Sequence, residues 1–138
     1  MGALADAALE AGGRVYGVID QRTLEAGDQH TGLHEIVCVG DPRKRKASLE
    51  ERADAFISLP GGLGTLEELA ETLSLRKQRL HARPIVLVDT LGFFGGLITQ
   101  LERSLEVGFD GSDCQAFPLL TQDPREAVTL CEDHAVRE

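Results

Sequence analysis

A predicted strand leads into a predicted helix through Leu59-Pro60-Gly61-Gly62-Leu63-Gly64-Thr65-Leu66-Glu67-Glu68. Three glycines within four positions let the backbone approach a ligand closely and turn its N–H groups inward. The start of the following helix adds the positive end of a helix dipole, which favours anions. Open α/β sheets bind their ligands at the carboxyl ends of the strands, where this turn is expected to lie. The stretch therefore indicates a phosphate-binding turn.

The same residues allow a purely structural interpretation. Thr65-x-x-Glu68 has the spacing of a capping box, in which Thr65 caps the helix and Glu68 reaches back to the Thr65 N–H. The turn is not a Walker A loop, which needs G-x-x-x-x-G-K-[ST], and it is not a complete G-x-G-x-x-G fingerprint. ATP and NAD are therefore disfavoured as ligands, whereas the phosphate site and the capping box both stay open.

Short apolar runs alternate with amphipathic stretches on both sides of this turn. The alternation predicts an α/β fold, a Rossmann-like three-layer parallel sheet with helices on both faces. We expect a single domain over residues 1–138, with one long polar connection over 20–33. Strands are predicted at 15–19, 35–39, 55–59, 84–88 and 117–120, and helices at 3–11, 42–53, 65–80, 93–107 and from 123 onward.

The order of the elements predicts that the fold is shortened at its N-terminus. A doubly wound domain ordinarily begins with a strand and a Gly-rich turn, whereas this chain begins within a predicted helix that ends at Gly12-Gly13. We therefore expect the first strand and its loop to be missing from the sequence.

Composition limits the class of partner. The 138 residues carry 14 Lys+Arg against 23 Asp+Glu, a formal net charge of −9, with 42% hydrophobic residues. Such a chain is expected to fold as a globular domain and to have little general attraction for nucleic acid polymers or anionic membranes. No apolar run is long enough to span a bilayer.

The cysteines and histidines indicate neither disulfides nor a metal site. Cys38, Cys114 and Cys131 are odd in number and lie far apart, which predicts free thiols in a reducing, cytoplasmic environment. His34 and His81 have no second ligand at helical or hairpin spacing, so no metal is expected. We expect no cofactor either.

The sequence has one concentrated basic run, Arg43-Lys44-Arg45-Lys46. Four consecutive positive charges usually form a solvated helix face, but they can also line an anion pocket. Both interpretations stay open on the residue pattern alone.

The two motifs together resemble the Lonely Guy (LOG) family, whose members are often described as lysine decarboxylases. Pro60-Gly61-Gly62-x-Gly64-Thr65-x-x-Glu68, preceded by Arg45-Lys46, is similar to the paired signatures of that family. The resemblance extends from Met1-Gly2 through Lys77-x-x-x-His81-x-x-Pro84 to Gly92-Phe93-Phe94, nearly the whole chain.

The resemblance implies a phosphoribohydrolase that cuts the N-glycosidic bond of a nucleoside 5′-monophosphate, typically a cytokinin ribotide, to free base and ribose 5-phosphate. It implies that Arg45 and Glu68 are the catalytic pair and that Lys46 helps to bind the substrate. It places the phosphate on the glycine turn, at Gly61, Gly62, Gly64 and Thr65. A homodimer is also implied, with a small-molecule nucleotide as the partner.

The chemistry of Glu68 agrees with that implied role, because a carboxylate can stabilise the positive charge that develops on a sugar ring as its glycosidic bond breaks. Arg45 is always protonated and would hold the substrate or polarise the departing base. Two alternatives remain. One is a binding protein of the same architecture, such as a molybdenum cofactor carrier, and the other is an inactive domain in which the motif only caps a helix.

Overall fold

The computed structural model describes residues 1–27, 29–110 and 117–135. Its contacts divide the chain into two compact units, residues 1–52 and residues 53–138. Because the strands are parallel within each unit and connected through helices, the α/β class and the Rossmann-like pattern are confirmed. The expectation of a single domain stays a prediction.

The N-terminal unit contains a parallel pair of strands with three helices. Each strand contains β-branched residues that predicted it, Val18 and Ile19 in β1 and Ile36, Val37 and Val39 in β2. The pair aligns Tyr16 with Glu35 and Asp20 with Val39. Its elements are α1 (Gly2–Glu10), β1 (Tyr16–Asp20), α2 (Gln21–Ala26), β2 (Glu35–Val39) and α3 (Pro42–Arg52).

The C-terminal unit contains a three-stranded parallel sheet in the order β3-β4-β5. Residues 90–92 form a short 3-10 turn after the central strand. No helix among the described residues is long and apolar enough to cross a membrane. The elements are β3 (Phe56–Ser58), α4 (Leu63–Lys77), β4 (Ile85–Val88), α5 (Gly95–Glu106), β5 (Leu119–Thr121) and α6 (Pro124–His134).

The core of the C-terminal unit lies on both faces of the central strand β4, whose four residues are 0–1% exposed. Ile85 and Leu87 face α4 and α5, whereas Val86 and Val88 face α6. Helices therefore cover both faces of this sheet, and the predicted three layers are present in this unit. On one face the cluster contains Leu69, Leu73 and Phe94, and on the other Ala127 and Cys131.

Three local predictions were wrong. The polar connection over 20–33 contains a helix, α2, because the Asp20 carboxylate accepts the Thr23 N–H at 2.9 Å and caps it. The strand β2 is mostly exposed, although its apolar run predicted a buried strand. The helix α4 begins at Leu63, two residues before the predicted start, because Gly62 serves as its N-cap.

Candidate active site

The glycine turn joins β3 to α4 at the carboxyl edge of the three-stranded sheet. Gly62 is the N-cap residue, with φ −88° and ψ −154°, and its carbonyl accepts the Leu66 N–H at 3.1 Å. The N–H groups of Leu63, Gly64 and Thr65 precede that first helical bond and have no acceptor within α4. They point out of the positive end of the helix, where an anion is favoured.

The capping-box interpretation of Thr65 was wrong. Thr65 is the third residue of α4, and the N-cap residue is Gly62, which has no side chain to cap the helix. The Thr65 side chain packs against Gly61 instead, where a Cβ would stand 2.1 Å from the Thr65 Oγ1. Gly62 is extended, and the helix begins directly after it, with Leu63 and Gly64. The helix therefore starts upstream of Thr65, which lies inside the first turn.

The backbone of the turn is accessible. A Cβ added to Gly62 or Gly64 would meet no atom within 4 Å, and the Leu63 side chain is 86% exposed. No side chain therefore fills the space beside the turn at Gly62 and Gly64. This geometry can hold a phosphate.

Glu68 lies in the second turn of the same helix. It is half-buried, whereas the neighbouring Glu67 is exposed, as expected for residues about 100° apart around a helix. The carbonyl of Glu68 accepts the Thr72 Oγ1–H at 2.8 Å. The helix is anchored just beyond Glu68 by Leu69 and Leu73, which pack in the core.

Arg45 and Lys46 lie in the first turns of α3, in the N-terminal unit. The Asp41 carboxylate accepts the Lys44 N–H at 3.0 Å and the Asp41 carbonyl accepts the Arg45 N–H at 3.1 Å, so Asp41 caps this helix. Arg45 and Lys46 are half-buried, whereas Arg43 and Lys44 are exposed. The solvated-face interpretation therefore fits the first two residues of the run better than the last two.

Asp20 is the residue near Arg45 that sequence reasoning missed. Hydrogen bonds from the Thr23 N–H and hydroxyl group lower the pKa of the Asp20 carboxyl, and the positive charge of Arg45 makes a smaller contribution. In the sequence, Asp20 could have been found as an aspartate that directly follows a predicted strand, a position at which aspartate often caps a helix. The carboxyl end of β1 therefore carries both a carboxylate and a nearby guanidinium.

The site residues lie in both units. Arg45 and Lys46 belong to residues 1–52, whereas Gly61, Gly62, Gly64, Thr65 and Glu68 belong to residues 53–138. The structure brings the glycine turn and Glu68 together on one helix. Joint action of Arg45 with Glu68 stays a prediction.

Within the described ranges, no group of three or more His, Cys, Asp or Glu side chains could hold a metal ion. His34 has a structural role, since its Nδ1 accepts the Val15 N–H at 3.2 Å.

A groove of about 410 Å³ lies between α4 and α5, outside the glycine turn. One end is polar, where Lys77 pairs with Asp110 and Ser104 also contacts that carboxylate. These contacts lower the pKa of the Asp110 carboxyl. The remaining walls are mainly apolar and comprise Leu66, Leu69, Ala70, Leu73, Leu97, Leu101, Leu105 and Phe117.

The fold and the turn together define a class: parallel α/β proteins with an open helix N-terminus after a Pro-Gly-Gly turn. A family model described as "Possible lysine decarboxylase" matches residues 1–131, and the chain belongs to this family. The resemblance to the LOG family is confirmed by the curated relatives, which carry phosphoribohydrolase names.

Three relatives illustrate the similarity, and each is named cytokinin riboside 5′-monophosphate phosphoribohydrolase. The protein from Rhodococcoides fascians is 39% identical over 134 residues, covering 96% of this chain and 63% of the relative. One from Arabidopsis thaliana is 31% identical over 137 residues, covering 99% of this chain and 64% of the relative. A second from the same plant is 35% identical over 109 residues, covering 79% of this chain and 48% of the relative. The chain thus spans between about half and two-thirds of these relatives.

Proposed function

We propose that the protein hydrolyses the N-glycosidic bond of a nucleoside 5′-monophosphate of the cytokinin class. One observation carries the proposal: three N–H groups open to an anion stand one turn before a half-buried carboxylate, Glu68, on the same helix. The names of the relatives supply the substrate class.

The phosphate of the substrate binds at the glycine turn. The N–H groups of Leu63, Gly64 and Thr65 donate to its oxygens, and the dipole of α4 favours the negative charge. Gly62 and Gly64 have no side chain to obstruct this approach. Lys46 adds a positive charge to the binding of the phosphate.

Glu68 acts on the sugar. As the C1′–N bond breaks, the electron pair leaves with the base and positive charge develops at C1′, which the carboxylate stabilises. Glu68 also orients the water whose oxygen bonds to C1′, and the proton of that water is transferred to the departing base. Arg45 holds the substrate and polarises the base through its guanidinium group. Water is the only co-reactant.

The test is release of free base from isopentenyladenosine 5′-monophosphate and from AMP. Glu68→Gln is expected to lower kcat about a hundredfold or more, because it removes the charge from the sugar site. Glu67→Gln is the matched control, since Glu67 is exposed on the same helix and is expected to keep full activity. Nucleotide binding without release of base in the folded wild type would contradict the proposal and favour a binding protein.

We further propose that the protein forms a homodimer through the groove between α4 and α5. Its apolar walls would be covered by a second copy, and symmetric pairs are the commonest oligomers of soluble proteins. Leu66→Gln with Leu105→Gln is expected to yield a monomer in sedimentation experiments. Val128→Gln, an exposed position on α6, is the control and is expected to leave the mass unchanged.

We propose a cytoplasmic location, supported by the free thiols of Cys38 and Cys131; the third predicted thiol, Cys114, lies outside the described residues. Cys38 is exposed and unbridged, which suits a reducing compartment. Burial raises the pKa of the Cys131 thiol and keeps it protonated. Fractionation of the producing cells with marker enzymes tests this location, and recovery outside the cytoplasmic fraction would contradict it.

A further inference from the structure

His81 lies in the connection between α4 and β4 and contacts both α4 and β3. Its ring packs against the Phe56 ring, with the two centroids 5.4 Å apart. Its Nε2 is 3.1 Å from the carbonyl oxygen of Thr72. Because a carbonyl oxygen only accepts hydrogen bonds, Nε2 must carry the proton of the neutral ring, and Nδ1 carries the lone pair.

The surroundings of His81 oppose a second proton. Nδ1 is buried and has no hydrogen-bond partner in the part of the chain that the structure describes. Two cations act on the ring, Arg76 on α4 and Arg83 before β4, and β3 contributes only the Phe56 ring. Burial, followed by these two charges, lowers the pKa of His81, although the bond to Thr72 acts in the opposite direction.

Thr72 connects His81 to Glu68. The Thr72 side chain is buried within α4, and its residue is 6% exposed. Its hydroxyl donates to the Glu68 carbonyl at 2.8 Å, while its own carbonyl accepts from His81. Two hydrogen bonds in series therefore join the His81 ring to the backbone of Glu68. The Glu68 side chain leaves the helix from this same turn, so the two bonds hold the backbone from which it projects.

We propose that His81, acting through Thr72, is a positioning residue for Glu68, and that it holds this turn of α4 only while its ring is neutral. The inference rests on the proposed function, because it assigns Glu68 to the reacting sugar. A proton on Nδ1 would have no acceptor and would face Arg76 and Arg83. The ring would then leave its site and release the Thr72 carbonyl.

This arrangement predicts an effect on catalysis rather than on binding. The phosphate is held by N–H groups at the start of α4, upstream of Glu68 and Thr72. Loosening the turn between Glu68 and Thr72 therefore lowers kcat while KM changes little. The acid limb of the kcat profile is expected to report the titration of His81.

Two pairs of variants test the role. His81→Leu and Thr72→Val remove the two donors and are expected to lower kcat about tenfold, the effect of roughly 1.4 kcal/mol. His81→Gln keeps an N–H donor at the end of its side chain but does not titrate, and Thr72→Ser keeps the hydroxyl. Both conservative variants are expected to restore most of kcat, and His81→Gln is expected to move the acid limb to lower pH.

Amide hydrogen exchange provides a measurement that does not depend on activity. Exchange at residues 68–73 is expected to rise in the wild type as the pH falls from about 7.5 to 5.5, after correction for intrinsic rates, and to rise less in His81→Gln. Unchanged kcat in His81→Leu, or exchange in this turn that is the same in both proteins, would overturn the inference. If the wild type releases no base, the proposed function fails, and exchange alone decides whether His81 holds the Glu68 turn.

Discussion

Gly61 and Gly64 are three residues apart in one turn, but they are required to be glycine for different reasons. Gly61 is in contact with the side chain of Thr65, whereas Gly64 is surrounded by open space. Neither residue is among those with a positive φ. Gly61 therefore serves the packing of the turn, whereas at Gly64 the proposed function requires the open space for the phosphate.

Gly61→Ala is expected to destabilise the protein by about 1–3 kcal/mol, because its methyl group would overlap the Thr65 side chain. Gly64→Ala is expected to fold at least as stably as the wild type, since alanine is the better helix former by roughly 1 kcal/mol. Gly64→Ala should nevertheless lose affinity for ribose 5-phosphate, because the methyl group stands before the open N–H groups. Thermal unfolding and calorimetric titration measure the two effects. Full affinity in Gly64→Ala would contradict the placement of the phosphate.

His81 provides a prediction for the pH dependence of stability. The pKa of His81 in the folded protein lies below its ordinary value of 6.5. At a pH between the folded-state pKa and 6.5, the unfolded chain therefore binds more protons than the folded chain. The neutral ring therefore makes its full contribution to the free energy of unfolding above about pH 6.5. This contribution is lost as the pH falls from about 6.5 through the pKa of His81 in the folded protein. Urea unfolding at pH 7.5 and 5.5 should show a smaller loss of stability in His81→Gln than in the wild type. An equal loss in both proteins would contradict a role for this ring.

At the scale of elements, α4 ends in a Schellman motif that contains no glycine. The Leu80 N–H donates to the Leu75 carbonyl at 3.0 Å and the Arg79 N–H to the Arg76 carbonyl at 2.9 Å. The residue after the C-cap, Arg79, has φ +60°, in the left-handed region that favours glycine. This helix end therefore carries backbone strain.

Arg79→Gly is expected to stabilise the protein by about 0.5–1 kcal/mol, because glycine adopts this conformation without the steric cost of a Cβ. Glu67→Gly is the matched control, at an exposed position of the same helix outside the groove, and should cost about 0.5–1 kcal/mol. Urea denaturation of the three proteins measures both changes. A loss of stability in Arg79→Gly would show that contacts of the arginine outweigh the strain.

The positions of most elements could be predicted from the sequence because their apolar runs are short and separated by glycine, proline and charge. The helix α2 could not be predicted from periodicity, since its six residues are too few for a pattern and are held by their caps, Asp20 at the start and Gly27 at the end. The glycine turn and Glu68 were found because their spacing forms a motif. The contact of His81 with the Thr72 carbonyl was not found, because a bond to a backbone oxygen depends on how the connection folds back and leaves no residue pattern.

At the scale of the whole molecule, the two units have unequal cores. Among the described residues of the N-terminal unit, only Val18 is buried, at 7% exposure. The C-terminal unit buries both faces of β4 under α4, α5 and α6. Burial of apolar surface is the main source of stability, so the units are expected to differ in local stability.

Native-state hydrogen exchange should therefore be slowest in β4 and faster in β1 and β2. The amides of Ile85, Val86, Leu87 and Val88 are predicted to exchange only through global unfolding, because the strand is covered on both faces. Exchange rates measured by NMR at several urea concentrations distinguish amides that exchange only through global unfolding from amides that exchange through local opening. Protection of β1 equal to that of β4 would contradict this difference.

In the proposed reaction, Glu68 and the glycine turn cut the glycosidic bond and leave the phosphate ester intact. The most direct measurement identifies the products formed from isopentenyladenosine 5′-monophosphate by mass spectrometry and phosphorus NMR. Free isopentenyladenine and ribose 5-phosphate are expected in equal amounts from the wild type, and both are expected to be lost in Glu68→Gln. Release of the nucleoside with inorganic phosphate, or equal product from wild type and Glu68→Gln, would contradict the proposed reaction.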